Sequence, residues 1–139
     1  MNFTANDFTT RLPAEWEDRT MVTLIAPFVP GGFAANVVIT KHPVEANETI
    51  ENFAAEQLAL LENSLPGFAL LDSRQTTVNG YPAHQQLHRF EAETGALQQV
   101  QTFLLVDSQI FAVTGTARVE EFDRHIGAFR EIVENFRAT

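Results

Sequence analysis

Thr76 to Thr116 reads TTVNGYPAHQQLHRFEAETGALQQVQTFLLVDSQIFAVTGT, and its turns and alternation decide the fold. Asn79-Gly80 is a dipeptide whose residues tolerate positive φ, so the chain can reverse tightly there. Glu93-Thr94-Gly95 marks a second reversal and Asp107-Ser108 a third. Between them, 97–106 and 109–116 are rich in Val, Leu, Ile, Phe and Thr, as half-buried strands are. Three or four antiparallel strands are therefore expected here. Strand side chains alternate, so Leu97, Gln99, Gln101, Phe103 and Leu105 share one face. Two glutamines interrupt that row of large apolar residues.

Working outward, 68–78 is predicted to lead into this meander as a strand. Before it, Asn47 or Thr49 can cap a helix running to about Leu65, with Glu48 and Glu51 near its positive end. Ile50, Phe53, Ala54, Leu58, Leu61 and Leu65 form its core stripe, with Gln57 at the edge, and Pro66-Gly67 stops it. Upstream, 19–28 and 34–41 read as strands that are apolar on both faces, which calls for cover on both. Pro27, Pro30 and Gly31-Gly32 form the loop between them. A short strand is expected over 7–12, with Phe8 and Leu12 as buried candidates. Trp16, the only tryptophan, is expected to plug one end of the core. After the meander, Val119, Phe122, Ile126, Phe129, Val133 and Phe136 make one face of a closing helix. Strands, helix, strands, helix is the α+β order: one domain over 1–139, an antiparallel sheet with helices packed on one face.

Composition narrows the function. The chain has 139 residues, enough for one domain, and 45% of them are hydrophobic. With 9 Lys and Arg against 18 Asp and Glu, the net charge is -9. Such a chain is a poor partner for a phosphate backbone or an anionic membrane surface. Zero cysteines rule out disulfides, thiolate metal sites and thiol catalysis. The opening residues show no basic or apolar signal region, and no apolar run approaches the roughly 20 residues that span a bilayer. A cytoplasmic protein is expected.

No constellation announces catalysis or a metal. His84 and His88 point the same way on a predicted strand, but lie about 13 Å apart along it, too far to share an ion. His42 and His125 have no visible partner. Ser64, Ser73 and Ser108 lie in no nucleophile elbow. Glu15, Glu17 and Asp18 read as a solvated acidic turn, and Gly31-Gly32 lacks the helix and Lys of a phosphate cradle. No enzyme activity, no cofactor and no metal are expected.

The stronger signal is surplus apolar surface. One sheet face must pack the helices, yet Met21, Ile25, Val38, Leu97 and Phe103 are left for the other, with Leu61 and Leu65 at its border. A third layer or a second copy would bury such a face. The functional alternative is a groove for an apolar guest, in which Gln57, Gln99 and Gln101 bond polar groups of the guest.

Several segments resemble the DcrB-related family. In FTTRLPAEWEDRTM, Leu12, Pro13, Trp16, Asp18 and Arg19 match its opening. Gly80, Pro82 and Ala83 resemble its Gly-x-Pro-Ala turn, and Gln101 in the central strand and Phe136 at the end of the last helix also match. The resemblance implies a PsbP-like fold, a curved antiparallel sheet with helices on its convex side. It further implies kinship with the EagR chaperones of type VI secretion: small acidic homodimers that hold the transmembrane helices of PAAR-containing effectors. By that resemblance Gln57 and Gln101 would touch the guest backbone, and Val38, Leu65, Leu97 and Phe103 would line the groove. Met21, Thr23, Leu61 and Gln99 complete the candidate set. Thr23 stands where an aliphatic residue is expected, and Leu61 where a small one is. The alternative is a non-enzymatic protein-binding module, or a subunit of a membrane-associated complex, that uses the 27–33 loop.

Overall fold

The meander forms as its turns dictate. In a computed structural model that describes every residue except Met1, Asn6, Val29, Pro30 and Gly31, strands β3 (Ala69–Val78), β4 (Tyr81–Ala92), β5 (Gly95–Val106) and β6 (Gln109–Arg118) follow one another through short reversals. Asn79 and Gly80 have φ of 53° and 83°, the left-handed pair of a type I′ hairpin. Asp107, at φ 55°, turns the last hairpin. Two earlier strands, β1 (Met21–Ile25) and β2 (Asn36–Pro43), complete a six-stranded antiparallel sheet in the order β1-β2-β6-β5-β4-β3. Of the expected loop before β2, Pro30 and Gly31 lie outside the described residues.

Helix α1 (Ile50–Ser64) starts where its cap predicts, with the Thr49 hydroxyl accepting from the Asn52 N–H at 3.1 Å. It ends through Pro66 and Gly67, the latter at φ 64°. The Glu91 N–H then bonds the Pro66 carbonyl at 2.8 Å and ties this exit to β4. A 3-10 turn (Val119–Glu121) leads into helix α2 (Phe122–Glu134). The Asn79 amide donates to the Glu134 and Phe136 carbonyls at the end of α2, so one turn residue reverses a hairpin and caps a helix.

The α+β class and the antiparallel sheet are as the sequence predicts, but the helices do not share a face. α2 packs with Val37, Val100, Leu104, Val113 and Ala117. α1 packs with Phe103, Ile110 and Ala112 on the other side. The reason is legible in β5 and β6, where Phe103 and Ile110 alternate with Leu104 and Phe111. Both faces are apolar at that end, and each needs a cover.

Upstream of β1 the expectations fail. Residues 7–12 form no strand, and Phe8 and Leu12 are 74% and 54% exposed. Trp16 plugs nothing and is 69% exposed. Strand propensity here has no neighbouring strand among the described residues to satisfy it.

Candidate functional site

The site is the α1 side of the sheet. Antiparallel register puts Met21, Thr23 and Ile25 of β1 on this side with Asn36, Val38 and Thr40 of β2. Ala112, Thr114 and Thr116 of β6 and Phe103, Gln101 and Gln99 of β5 continue it. His84, Gln86 and His88 of β4 close it. α1 lies along β4 and β5. Its first turns meet Phe103 through Phe53, ring centroids 5.3 Å apart and edge to face. One turn of sheet further on, the Gln86 amide donates to the Ala54 carbonyl at 3.1 Å. The β1–β2 end of the face has no helix over it. Met21 and Ile25 are 60% and 61% exposed there, Thr23 is exposed and Val38 half-buried.

The expected residues therefore separate into two groups. Leu97 and Phe103, 6% and 1% exposed, belong to the core and cannot line an open surface. Phe103 is sealed by the chain's own α1. Met21, Thr23, Val38, Gln99 and Gln101 share the uncovered part, and Gln57, Leu61 and Leu65 are half-buried on the helix beside it. The floor is also less apolar than expected. Gln99, Gln101, Thr114, Thr116, Asn36 and Thr23 make an uncharged polar band, and Met21, Ile25 and Val38 supply the apolar margin.

That band is a hydrogen-bonded ladder. His88 Nε2 lies 2.7 Å from Gln99 Oε1, so it carries the proton, and the Gln99 amide donates to the Thr116 hydroxyl at 2.9 Å. Gln101 donates to the Thr114 hydroxyl across a longer 3.4 Å. Among the described residues, the buried side-chain polar atoms with no partner all lie on this side of the sheet, one in the band and three on β4 beside it: Gln101 Oε1, Gln86 Oε1, His84 Nδ1 and His88 Nδ1. A buried unpaired acceptor is costly and invites a donor. Burial holds the His88 imidazole below its usual pKa, against a smaller opposing effect of the Gln99 hydrogen bond. The rings of Phe68 and Phe90 flank it at 5.0 and 6.3 Å.

Gln86, His88, Thr114 and Thr116 lie outside the expected site residues, although the sequence carries the signal for them. A two-residue turn fixes the register of the whole hairpin. Ala92 faces Gly95, so His88 must face Gln99 and Gln86 must face Gln101. Val106 faces Gln109, so Gln99 must face Thr116 and Gln101 must face Thr114.

Ser73 Oγ and His84 Nε2 are 2.8 Å apart, but His84 Nδ1 has no carboxylate to orient it. Among the described residues no group of three or more His, Cys, Asp and Glu could hold a metal ion. The acidic turn is occupied with its neighbours. Glu17 pairs with Arg19 at 2.6 Å, and Asp18 accepts from the Thr20 hydroxyl and, at 2.9 Å, from the Thr20 N–H, which in that order lower its pKa.

A six-stranded antiparallel sheet with a helix on each face, one end of it left open, defines an α+β domain of the PsbP type. The fold is similar to that of the cyanobacterial PsbP of Synechocystis, at a TM-score of 0.60 over 86% of this chain and 82% of that one, with 7% identity. LpqN of Mycobacterium tuberculosis, involved in cell envelope biogenesis, is similar at 0.55 with 12% identity, covering 88% and 85%. Within this class the chain belongs to the DcrB family, whose sequence model matches residues 9–135. A Pseudomonas aeruginosa protein of unknown function, PA94, shares the fold at a TM-score of 0.80 and 20% identity, over 92% of this chain and 89% of that one. Comparison with curated proteins finds no match.

Proposed function

We propose that the protein is a chaperone or adaptor that shields the N-terminal transmembrane helices of a PAAR-type effector of type VI secretion before the effector is loaded on the spike. The observation that carries this reading is the uncovered end of the α1 side, where Met21 and Ile25 are 60% and 61% exposed beside Val38. A guest helix laid there loses water from its apolar surface at roughly 25 cal/mol per Å². None of the floor positions holds a charge, so the guest meets no desolvated ion. Gln101 is half-buried with its Oε1 unpaired beneath the surface, and a rotation of that amide toward the guest lets it accept from a donor that the guest would otherwise strand. The resemblance to EagR chaperones supplies the guest class, and a cytoplasmic homodimer is part of the same proposal. No described helix of the chain is itself long and apolar enough to cross a membrane.

The test is co-expression with the first transmembrane helix of a PAAR-type effector, fused to a soluble carrier. Wild type recovers the fusion in the soluble fraction, and Val38→Glu and Met21→Glu lower recovery about tenfold, the cost of an unpaired charge against an apolar guest. Leu97 is unsuitable for this purpose because a charge there would disrupt the core. A second reading, docking of a folded partner through the 27–33 loop, is favoured by Phe28, which is 56% exposed. Loss of recovery with Phe28→Glu, but not with Val38→Glu, supports that reading. Unchanged recovery with all three variants refutes both.

A further inference from the structure

Seven of the large apolar side chains left exposed among the described residues fall between residues 3 and 28: Phe3, Phe8, Leu12, Trp16, Met21, Ile25 and Phe28. Four of them, Phe8, Leu12, Met21 and Ile25, belong to two features that lack a partner. The first is 8–12, FTTRL, a sequence with strand propensity that pairs with no described strand of the chain. The second is the outer edge of β1.

The sheet has two edge strands, β1 and β3, and they are guarded differently. β3 carries Asp72 and Arg74, and its register shifts between Leu70 and Asp72. Charges and a bulge are the usual protection against edge-to-edge pairing. β1 is MVTLI, with no charge, proline or bulge. An unguarded edge is a template for a further strand, which contributes main-chain hydrogen bonds and side-chain pairs.

We propose that a second copy of this chain supplies that strand: 8–12 of each copy adds antiparallel to the free edge of β1 of the other. The pattern selects one register. With Thr10 opposite Thr23, Phe8 falls opposite Ile25 and Leu12 opposite Met21, all on the open side of the sheet. These four apolar residues, 74%, 61%, 54% and 60% exposed in the single chain, become two cross-strand pairs. A slip of one residue sends Phe8 and Leu12 to the opposite side and leaves Met21 and Ile25 uncovered. A fold-back onto the chain's own β1 is not what the single chain forms: 8–12 pairs with no described strand there, and the residues between it and β1 turn to local contacts instead, Asp18 accepting from Thr20 and lying 3.8 Å from Lys41 of β2. The exchange is reciprocal, so it closes as a two-fold dimer. It also widens the apolar margin of the candidate groove with residues of the partner copy, whatever that groove holds.

The absence of native cysteine makes the test direct. Thr10→Cys/Thr23→Cys places two thiols opposite each other only in the proposed register. Mild oxidation is expected to yield a species of twice the 15.5 kDa chain mass on a non-reducing gel. Thr9→Cys/Thr23→Cys, with the thiols on opposite faces, is expected to cross-link at least about tenfold more slowly. Phe8→Asp/Leu12→Asp is expected to sediment as a folded monomer, with far-UV circular dichroism unchanged, and Leu70→Asp on β3 as a dimer. The proposal is overturned if the double-cysteine chain closes on itself at monomer mass or fails to cross-link. It is equally overturned if the arm variant remains dimeric, if Leu70→Asp alone dissociates the dimer, or if the wild type sediments as a monomer throughout the micromolar range. None of these outcomes depends on a guest: a wild-type monomer overturns this inference together with the homodimer of the chaperone reading, a dimer that survives the arm variant overturns this inference alone, and loss of guest recovery bears on the chaperone reading alone.

Discussion

Gly115 sits in the middle of β6 against Phe129 of α2, and Gly115→Ala should loosen the closed side of the sheet. Its φ is not in the left-handed region, so the glycine is not required by the backbone. It is required by proximity. A Cβ built there falls 2.7, 2.8 and 2.9 Å from three Phe129 ring carbons. Carbon atoms prefer about 3.5 Å or more, so the ring must retreat by roughly 0.8 Å. Phe129 is 5% exposed and wedged among Phe122, Val113 and Val133. Overpacking of this kind costs about 1–3 kcal/mol, and the alanine returns about 0.5–1 kcal/mol of strand entropy. The net loss is about 1–2 kcal/mol. At about 2.1 cal/mol/K per residue, a chain of 139 residues unfolds with about 290 cal/mol/K. Each kcal/mol therefore moves Tm by about 3.5 °C, and the expected fall is about 3–7 °C.

Thermal melts of Gly115→Ala, Phe129→Leu and the double variant test this. Leucine leaves room for the new methyl, so the double variant should be at least about 1 kcal/mol more stable than additivity predicts. A Gly115→Ala protein as stable as wild type, or a strictly additive double variant, refutes the argument. The open side of the sheet lies opposite, and guest recovery should not change.

Phe53→Ala removes the ring that joins α1 to Phe103 and His42, a loss of about 3–5 kcal/mol. Because the cluster on that side is small, the damage should be local: hydrogen exchange should accelerate throughout α1 before β5 and β6 are affected. Stability should also fall with acid. Burial lowers the pKa of both His88 and His42 from 6.5 in the folded state, so below about pH 6.5 the unfolded chain binds the extra protons. Stability therefore rises with pH across the window from the depressed folded values up to 6.5, and is flat above it. Urea midpoints that do not change between pH 7.5 and 5.5 would contradict this assignment.

The elements were legible wherever turn chemistry or capping fixed them. Asn79-Gly80, Asp107-Ser108, Thr49 and Gly67 each act as their residue types predict. Two kinds of error have a common origin. Residues 7–12 have strand composition but no strand beside them, and Trp16 has bulk but no cavity to fill. Propensity describes a residue, whereas burial requires a neighbour. The distribution of the helices was hidden for a related reason. Either helix could be matched to an apolar face, and only the pairing of Phe103 with Ala112 and of Leu104 with Phe111 shows that both faces needed cover. Leu97 and Phe103 were placed on the open surface because alternation gives the face of a residue but not which part of that face a helix covers.

The glutamines mark where that cover stops. Along β5 the α1 side reads Leu97, Gln99, Gln101, Phe103. α1 places Ile50, Phe53 and Ala54 over the Phe103 end, where Ile110 and Ala112 extend the apolar area. It meets the next row, Gln86 and Gln101, with the Ala54 carbonyl to hand for one amide. Closing the helix over the rest of the face would bury the half-exposed Gln99, Gln101 and Thr114 beneath Leu58 and Leu61, whose side chains offer them no hydrogen bonds, at a cost of about 1–3 kcal/mol for each polar group left unpaired. The ladder from His88 through Gln99 to Thr116 satisfies most of the band among its own strands, so the helix gains nothing by moving onto it. The polar interruption in the sequence thus holds α1 over β4 and β5 and keeps the β1–β2 end of the sheet open.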